Sequence, residues 1–211
     1  MKRQFVLIAV MILLIPFALS ARNVFDARFG FNALYAPTEE GAFFEDDIAA
    51  NTSLGGNVIL RLWNIQTTLM AVAVAPQGDA PGSLSGFSLY SDFSLSIPIL
   101  PSYIYLSLGA GMATDFRINV NTDAMEVYFP SYGAEDATTV PLSKLEFGQV
   151  IRYSSLFWKF GLDLFLGPFN ANVFYIIRTP ATFAAISSGQ WDKLLLTTNN
   201  ALGVGFSLAL F

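Results

Sequence analysis

The sequence predicts an all-β protein: an antiparallel up-and-down transmembrane β-barrel of eight strands, with ten as the alternative count. Three observations predict it. First, segments of roughly ten residues alternate between large apolar and small or polar side chains, the period-two pattern of a strand with one apolar face. Second, the strand charges Asp26, Arg28, Arg61, Asp92, Lys144, Glu146, Arg152, Lys159 and Asp163 all fall opposite the apolar stripe. An Arg or Lys facing hydrocarbon at mid-depth costs ~2–4 kcal/mol, so a lipid-facing wall requires that segregation. Third, 54% of the 211 residues are hydrophobic, yet beyond the N-terminus no apolar run reaches the ~18 residues of a helical span. If this chain crosses a membrane, strands must carry it.

The N-terminus is read as a secretory signal. Lys2 and Arg3 precede an apolar run from Phe5 to Ile15, Pro16 breaks it, and Ala18-Leu19-Ser20 supplies a small-residue cleavage site. The run is too short for a spanning helix of ~20 residues. Residues 1–20 are therefore expected to be removed, leaving 21–211 as a single barrel domain.

Strand one sets Phe25, Ala27, Phe29, Phe31, Ala33 and Tyr35 against Asp26, Arg28, Gly30 and Asn32. An acidic loop follows, with Glu39, Glu40, Glu45, Asp46 and Asp47 beside Phe43 and Phe44. Strand two sets Leu54, Gly56, Val58, Leu60 and Leu62 against Gly55, Asn57, Ile59 and Arg61. After a tight connection at Asn64, strand three has Met70, Val72 and Val74 on its apolar side, and a Gly/Pro/Ser loop runs from Pro76 to Ser85. Strand four is the cleanest: Phe87, Leu89, Ser91, Phe93, Leu95 and Ile97 against Ser88, Tyr90, Asp92, Ser94 and Ser96. Pro98 and Pro101 mark a turn into strand five, where Ile104, Leu106, Leu108, Ala110 and Met112 oppose Tyr105, Ser107, Gly109 and Gly111. A long, mostly acidic loop is expected from Asp115 to Thr139. Strand six opposes Leu145, Phe147, Ile151 and Tyr153 to Lys144, Glu146, Gly148 and Arg152, with Gln149 an exception on the apolar face. Strand seven opposes Trp158, Phe160, Leu162, Leu164 and Leu166 to Lys159, Gly161, Asp163 and Gly167. The stretch 168–196 is read as an extension of strand seven plus a structured loop, Thr179-Pro180 opening a short helix through Ser187. Strand eight sets Leu202, Val204, Phe206, Leu208 and Leu210 against Gly203, Gly205, Ser207 and Ala209, ending at Phe211. Tyr35 and Phe87 near loops, and Tyr103, Tyr153 and Trp158 near turns, suit the aromatic girdles of a membrane barrel.

The chemistry is bounded by what the chain lacks. It has no His and no Cys, which removes Ser/His and Cys/His nucleophilic arrangements, His/Cys metal clusters and disulfides. The strand carboxylates have basic neighbours and read as ion-pair partners, not as an acid/base couple. No phosphate-binding loop or dinucleotide fingerprint occurs, so no cofactor and no metal are expected. The acidic loops do not have EF-hand spacing and read as solvated surface. The formal charge of −5 argues against nucleic acid. Nothing in the sequence sets an oligomeric state.

The closing strand, L-G-V-G-F-S-L-A-L-F behind an export signal, resembles the last strand of bacterial outer-membrane β-barrels. In that family a terminal Phe belongs to the insertion signal, so the resemblance implies Phe211 as an assembly signal, the barrel assembly machinery as a partner and the cell outer membrane as the location. The near-balanced inward charges resemble the filled interiors of small eight-stranded barrels such as the OmpA membrane domain and OmpX, more than the apolar lumen of OmpW. The expected function is non-enzymatic: a barrel with an ion-paired lumen and acidic surface loops, serving envelope integrity or surface interaction. The alternatives are a narrow channel for ions or small solutes, and a secreted soluble β-sandwich that binds a partner.

Overall fold

A computed structural model describes residues 25–37, 48–74, 86–119, 124–132 and 135–210. Ten antiparallel strands form one sheet: β1 (Phe25–Tyr35), β2 (Thr52–Leu62), β3 (Ile65–Val74), β4 (Gly86–Leu100), β5 (Ile104–Asn119), β6 (Ala124–Tyr132), β7 (Glu135–Pro141), β8 (Ser155–Leu166), β9 (Phe169–Arg178) and β10 (Asn199–Ala209). Eight of them, β1 to β5 and β8 to β10, close on themselves, because β1 pairs with β10 and β4 with β5. Closure leaves no pair of facing sheets, so the sandwich alternative does not describe this chain.

The short connections between neighbouring barrel strands lie at one end: 63–64, 101–103 and 167–168. The last of these uses Gly167 at φ 63°, a conformation that costs a residue without a Cβ little. The four long connections lie at the other end, the loop end. β4 and β5 are 15 and 16 residues long, more than the ~9–11 a tilted strand needs to span a bilayer. β8 stops pairing with β5 at Ala113, and from Asp115 to Asn119 its place is taken by β6. The β6–β7 hairpin therefore extends the wall beyond the loop-end rim.

The structure corrects the expected elements in several places. The sixth predicted strand is helix α1 (Phe147–Tyr153), preceded by a 3-10 turn at Leu142–Lys144. The reason is local. Glu146 is the N-cap of a capping box, its side chain accepting from the Gln149 backbone N–H while its own backbone N–H donates to Gln149 Oε1 at 3.0 Å. Phe147, Val150 and Ile151 then repeat at helical spacing. Gln149, the exception to alternation, was the mark of that cap. The missing barrel strand is β9, where the sequence predicts an extension of strand seven and a structured loop. Its outer half, Val173 to Ile177, is apolar on both faces, so alternation does not show there. The short helix after β9 is present as α2 (Phe183–Ser187), capped by Thr182, which accepts from the Ala185 N–H at 3.1 Å. Within the expected Asp115–Thr139 loop lies the β6–β7 hairpin, whose Val127 and Phe129 are fully buried.

The facing of β3 is also reversed from expectation. Met70 and Val72 point inward, 4% and 2% exposed, and Leu69 points outward at 49%. Gln66 and Thr68 lie on the inward side with Met70, so this strand mixes polar and apolar residues on one face. Trp158 lies at the loop end, not at a turn.

Outward positions elsewhere follow the predicted stripes. Phe29, Phe31, Leu54, Leu60, Phe160, Leu162, Val204 and Phe206 all face outward and are exposed. A continuous apolar wall of this size is not compatible with a wet surface. Among the described residues, no helix is long and apolar enough to cross a membrane.

Candidate functional site: the barrel lumen

Inward side chains fill the barrel in layers. At the turn end, register places Asp26 directly across from Arg61. Arg28 Nε–H donates to Asp26 Oδ2 at 2.7 Å and Arg61 Nη2–H reaches the same oxygen at 3.4 Å. Arg28 also donates from Nη1 to the Pro168 carbonyl at 3.3 Å, tying the cluster to the β8–β9 turn. Both guanidinium groups lie 4.6 Å from the centre of the Phe165 ring, and Arg61 lies 4.9 Å from that of Tyr105. Cations above aromatic faces are stabilised by the ring quadrupole, more so when desolvated.

At mid-height Lys159 Nζ donates to Asp92 Oδ2 at 2.8 Å and to Thr68 Oγ1 at 3.1 Å. Ser94 donates to the other Asp92 oxygen at 2.5 Å. Asn57 Nδ2 donates to Asn32 Oδ1 at 3.2 Å. Asp163, four residues along β8 from Lys159, lies in register between Tyr105 of β5 and Asn172 of β9. These two layers hold three acids (Asp26, Asp92, Asp163) and three bases (Arg28, Arg61, Lys159), all buried.

The loop-end half is different. Leu34, Met70, Val72, Tyr90, Phe157, Phe174 and Ile176 form a buried apolar cluster across the lumen. Tyr90 and Phe157 meet edge to face at 5.6 Å. Glycine makes this layer fit: a Cβ at Gly203 would collide with the Phe174 ring, and one at Gly111 with Phe157. Above it Arg178 binds Asp115 with both terminal nitrogens, at 3.2 and 2.7 Å, a bidentate geometry that fixes both side chains. Arg178 Nη2 also donates to Ser155 Oγ at 2.9 Å, and Ser88 donates to Asp115 at 2.6 Å.

Of the nine charged residues read from the sequence as one lumen set, the structure brings together six: Asp26, Arg28, Arg61, Asp92, Lys159 and Asp163. The other three leave the barrel with the mistaken strand. Lys144 closes the 3-10 turn, Glu146 caps α1 and Arg152 lies in its last turn, all exposed. The sequence reading missed Asp115 and Arg178. Both keep inward parity on their strands, so extending strand five by two pairs would have found the acid. Glu39, Glu40, Glu45, Asp46 and Asp47 lie outside the described residues, as do Phe211 and the signal segment. Among the described residues no acidic cluster able to hold a metal occurs.

A closed ring of eight antiparallel strands with an apolar outer wall is the fold of the small outer-membrane β-barrels. The chain is similar to the crystal structure of the N-terminal β-barrel domain of Pseudomonas aeruginosa OprF, with a TM-score of 0.50 and 11% identity over 89% of this chain and 98% of that one. Neisserial surface protein A (NspA) aligns with a TM-score of 0.40 and 10% identity over 88% of this chain and 97% of its own. At such identities the OprF likeness is one of fold. No family model matches the chain, and no curated protein matches it.

Proposed function

We propose that this protein is a non-enzymatic integral outer-membrane barrel whose lumen is plugged by its own side chains, and that it serves envelope integrity or surface interaction. The observation that carries the reading is the layered lumen: buried ion pairs in the turn-end half and a buried aromatic and aliphatic layer above them. An eight-stranded barrel is barely wide enough for its own side chains, and an apolar layer at that width excludes ions as well as water. The outward apolar wall supports a bilayer as the surrounding phase, and the OprF-like fold supports the outer membrane. Export by a cleaved segment 1–20, assembly of 21–211 by the barrel assembly machinery and recognition of Phe211 belong to the same proposal. They rest on the basic and apolar N-terminal pattern and the terminal aromatic.

The test is single-channel recording of the refolded protein in planar bilayers. The plugged reading expects little steady conductance; large, stable, ion-selective openings would replace it with the channel reading. One observation favours that second reading. Arg61 Nε and Nη1, both side-chain atoms of Asn64 and Asp163 Oδ2 are buried without a partner in the protein, and such polar positions attract water or a permeating ion.

A further inference from the structure

The connections that follow β7 and β9 do not stand clear of the barrel; they fold back against its outer wall. Trp158 faces outward on β8, and its indole N–H donates to the Leu194 carbonyl at 3.1 Å, in the 3-10 turn Trp191–Leu195. The β9–β10 connection is anchored beside it, with the Leu156 N–H donating to Ala181 O at 2.8 Å and the Thr179 N–H to Leu156 O at 2.9 Å. Between this roof and the wall lies a groove of about 460 Å³, inside the ~300–1,000 Å³ range of small-molecule sites.

Its floor follows from strand register. Ala110 on β5 pairs with Phe93 on β4 and with Trp158 on β8, so a methyl group sits between two large rings and leaves a trough. Met112 continues the trough toward the loop end. Ile151 of α1, Phe183 of α2 and Leu194 close it from above. The floor belongs to the outward apolar wall, so the trough is continuous with the hydrocarbon around the barrel. The two roof residues Ile151 and Leu194 are each next in sequence to a basic residue, Arg152 and Lys193. Trp side chains are enriched at the boundary between hydrocarbon and headgroups.

We propose that the groove formed by Phe93, Ala110, Trp158, Phe183 and Leu194 is a binding site for one acyl chain of an anionic membrane lipid, with its phosphate headgroup held near Arg152 and Lys193. The chain would enter sideways from the bilayer, exchanging bulk lipid contacts for two aromatic walls and a fixed roof. Basic residues at the membrane surface attract anionic headgroups over neutral ones. The proposal rests on the membrane-barrel reading, and its test separates the two. Insertion into vesicles and heat-shifted gel mobility report the barrel; lipid retention reports the groove.

The experiment is native mass spectrometry of the protein refolded in detergent with phosphatidylglycerol, phosphatidylcholine or palmitate. Wild type should retain one phosphatidylglycerol per chain through detergent exchange. Ala110→Phe, which fills the trough, should weaken retention roughly tenfold, while Ala171→Phe on the outward face of β9 leaves it unchanged. The double variant Arg152→Gln/Lys193→Gln should bring phosphatidylglycerol down to the level of phosphatidylcholine. If Ala110→Phe fails the heat-shift check for folding, Leu194→Asp removes the apolar roof from the loop side and should lose the lipid equally. Equal retention by wild type and the groove variant that folds would overturn the site. Palmitate binding as tightly as phosphatidylglycerol, unaffected by the double variant, would overturn the lipid as its occupant.

Discussion

The turn-end and loop-end halves of the lumen are lined by the same eight strands and hold opposite chemistries. Toward the turns the inward positions are Asp, Arg, Lys, Ser and Asn, with the rings of Tyr105 and Phe165 beneath the arginines; toward the loops they are Leu, Met, Val, Phe, Tyr and Ile under the Asp115–Arg178 pair. The difference teaches how each half is held. A buried ion pair between two charged side chains is weak evidence for net stability, yet breaking it leaves one charge desolvated and alone. An apolar layer contributes through packing, and loses that contribution gradually as volume is removed. The charged half should therefore be brittle and rescuable in pairs, the apolar half tolerant of shape but sensitive to cavities.

The largest effect is expected in the charged half. Lys159→Met leaves Asp92 without its counter-charge and should cost about 3–5 kcal/mol in urea unfolding from liposomes. Adding Asp92→Leu should recover most of that loss. A double variant as unstable as the single one would mean that packing, not charge, was lost. In the apolar half Phe174→Ala should cost about 3–5 kcal/mol through the cavity it opens, with no second substitution in the charged half restoring it. It should also raise bilayer conductance above wild type; unchanged conductance would place the seal elsewhere than in this layer.

The outer wall supplies the next comparison. Val58 faces outward at the middle of β2, between Phe29 and Leu69 in register. Val58→Arg should cost ~2–4 kcal/mol in a bilayer, and a negligible penalty there would show that this wall is not in hydrocarbon. The smallest effect belongs to a residue that the sequence alone would rank with Lys159. Lys144→Ala should change stability by less than about 0.5 kcal/mol, as expected of an exposed turn. A loss comparable to that of Lys159→Met would return Lys144 to the lumen and break the assignment of 147–153 as a helix.

What the sequence determined by itself is the part of the fold that period two can report. Strands β1, β2, β4, β5, β8 and β10 were legible, with their facing, because each sets bulky apolar residues against small or polar ones for four or more pairs. The six lumen charges came with them, since a charge cannot be turned toward lipid. Three things needed the tertiary structure. The facing of β3 could not be read because its inward side passes from Gln66 and Thr68 to Met70 and Val72, crossing from the charged layer into the apolar one. β9 passes through the same boundary, Asn170 and Asn172 giving way to Phe174 and Ile176, so its outer half carries no contrast between faces. Residues 144–153 alternate well enough to mimic a strand, and the Glu146–Gln149 box decides for helix. Lumen layering is set by height along the barrel, a coordinate that exists only once the strands are staggered and closed, and alternation along one strand contains no measure of it.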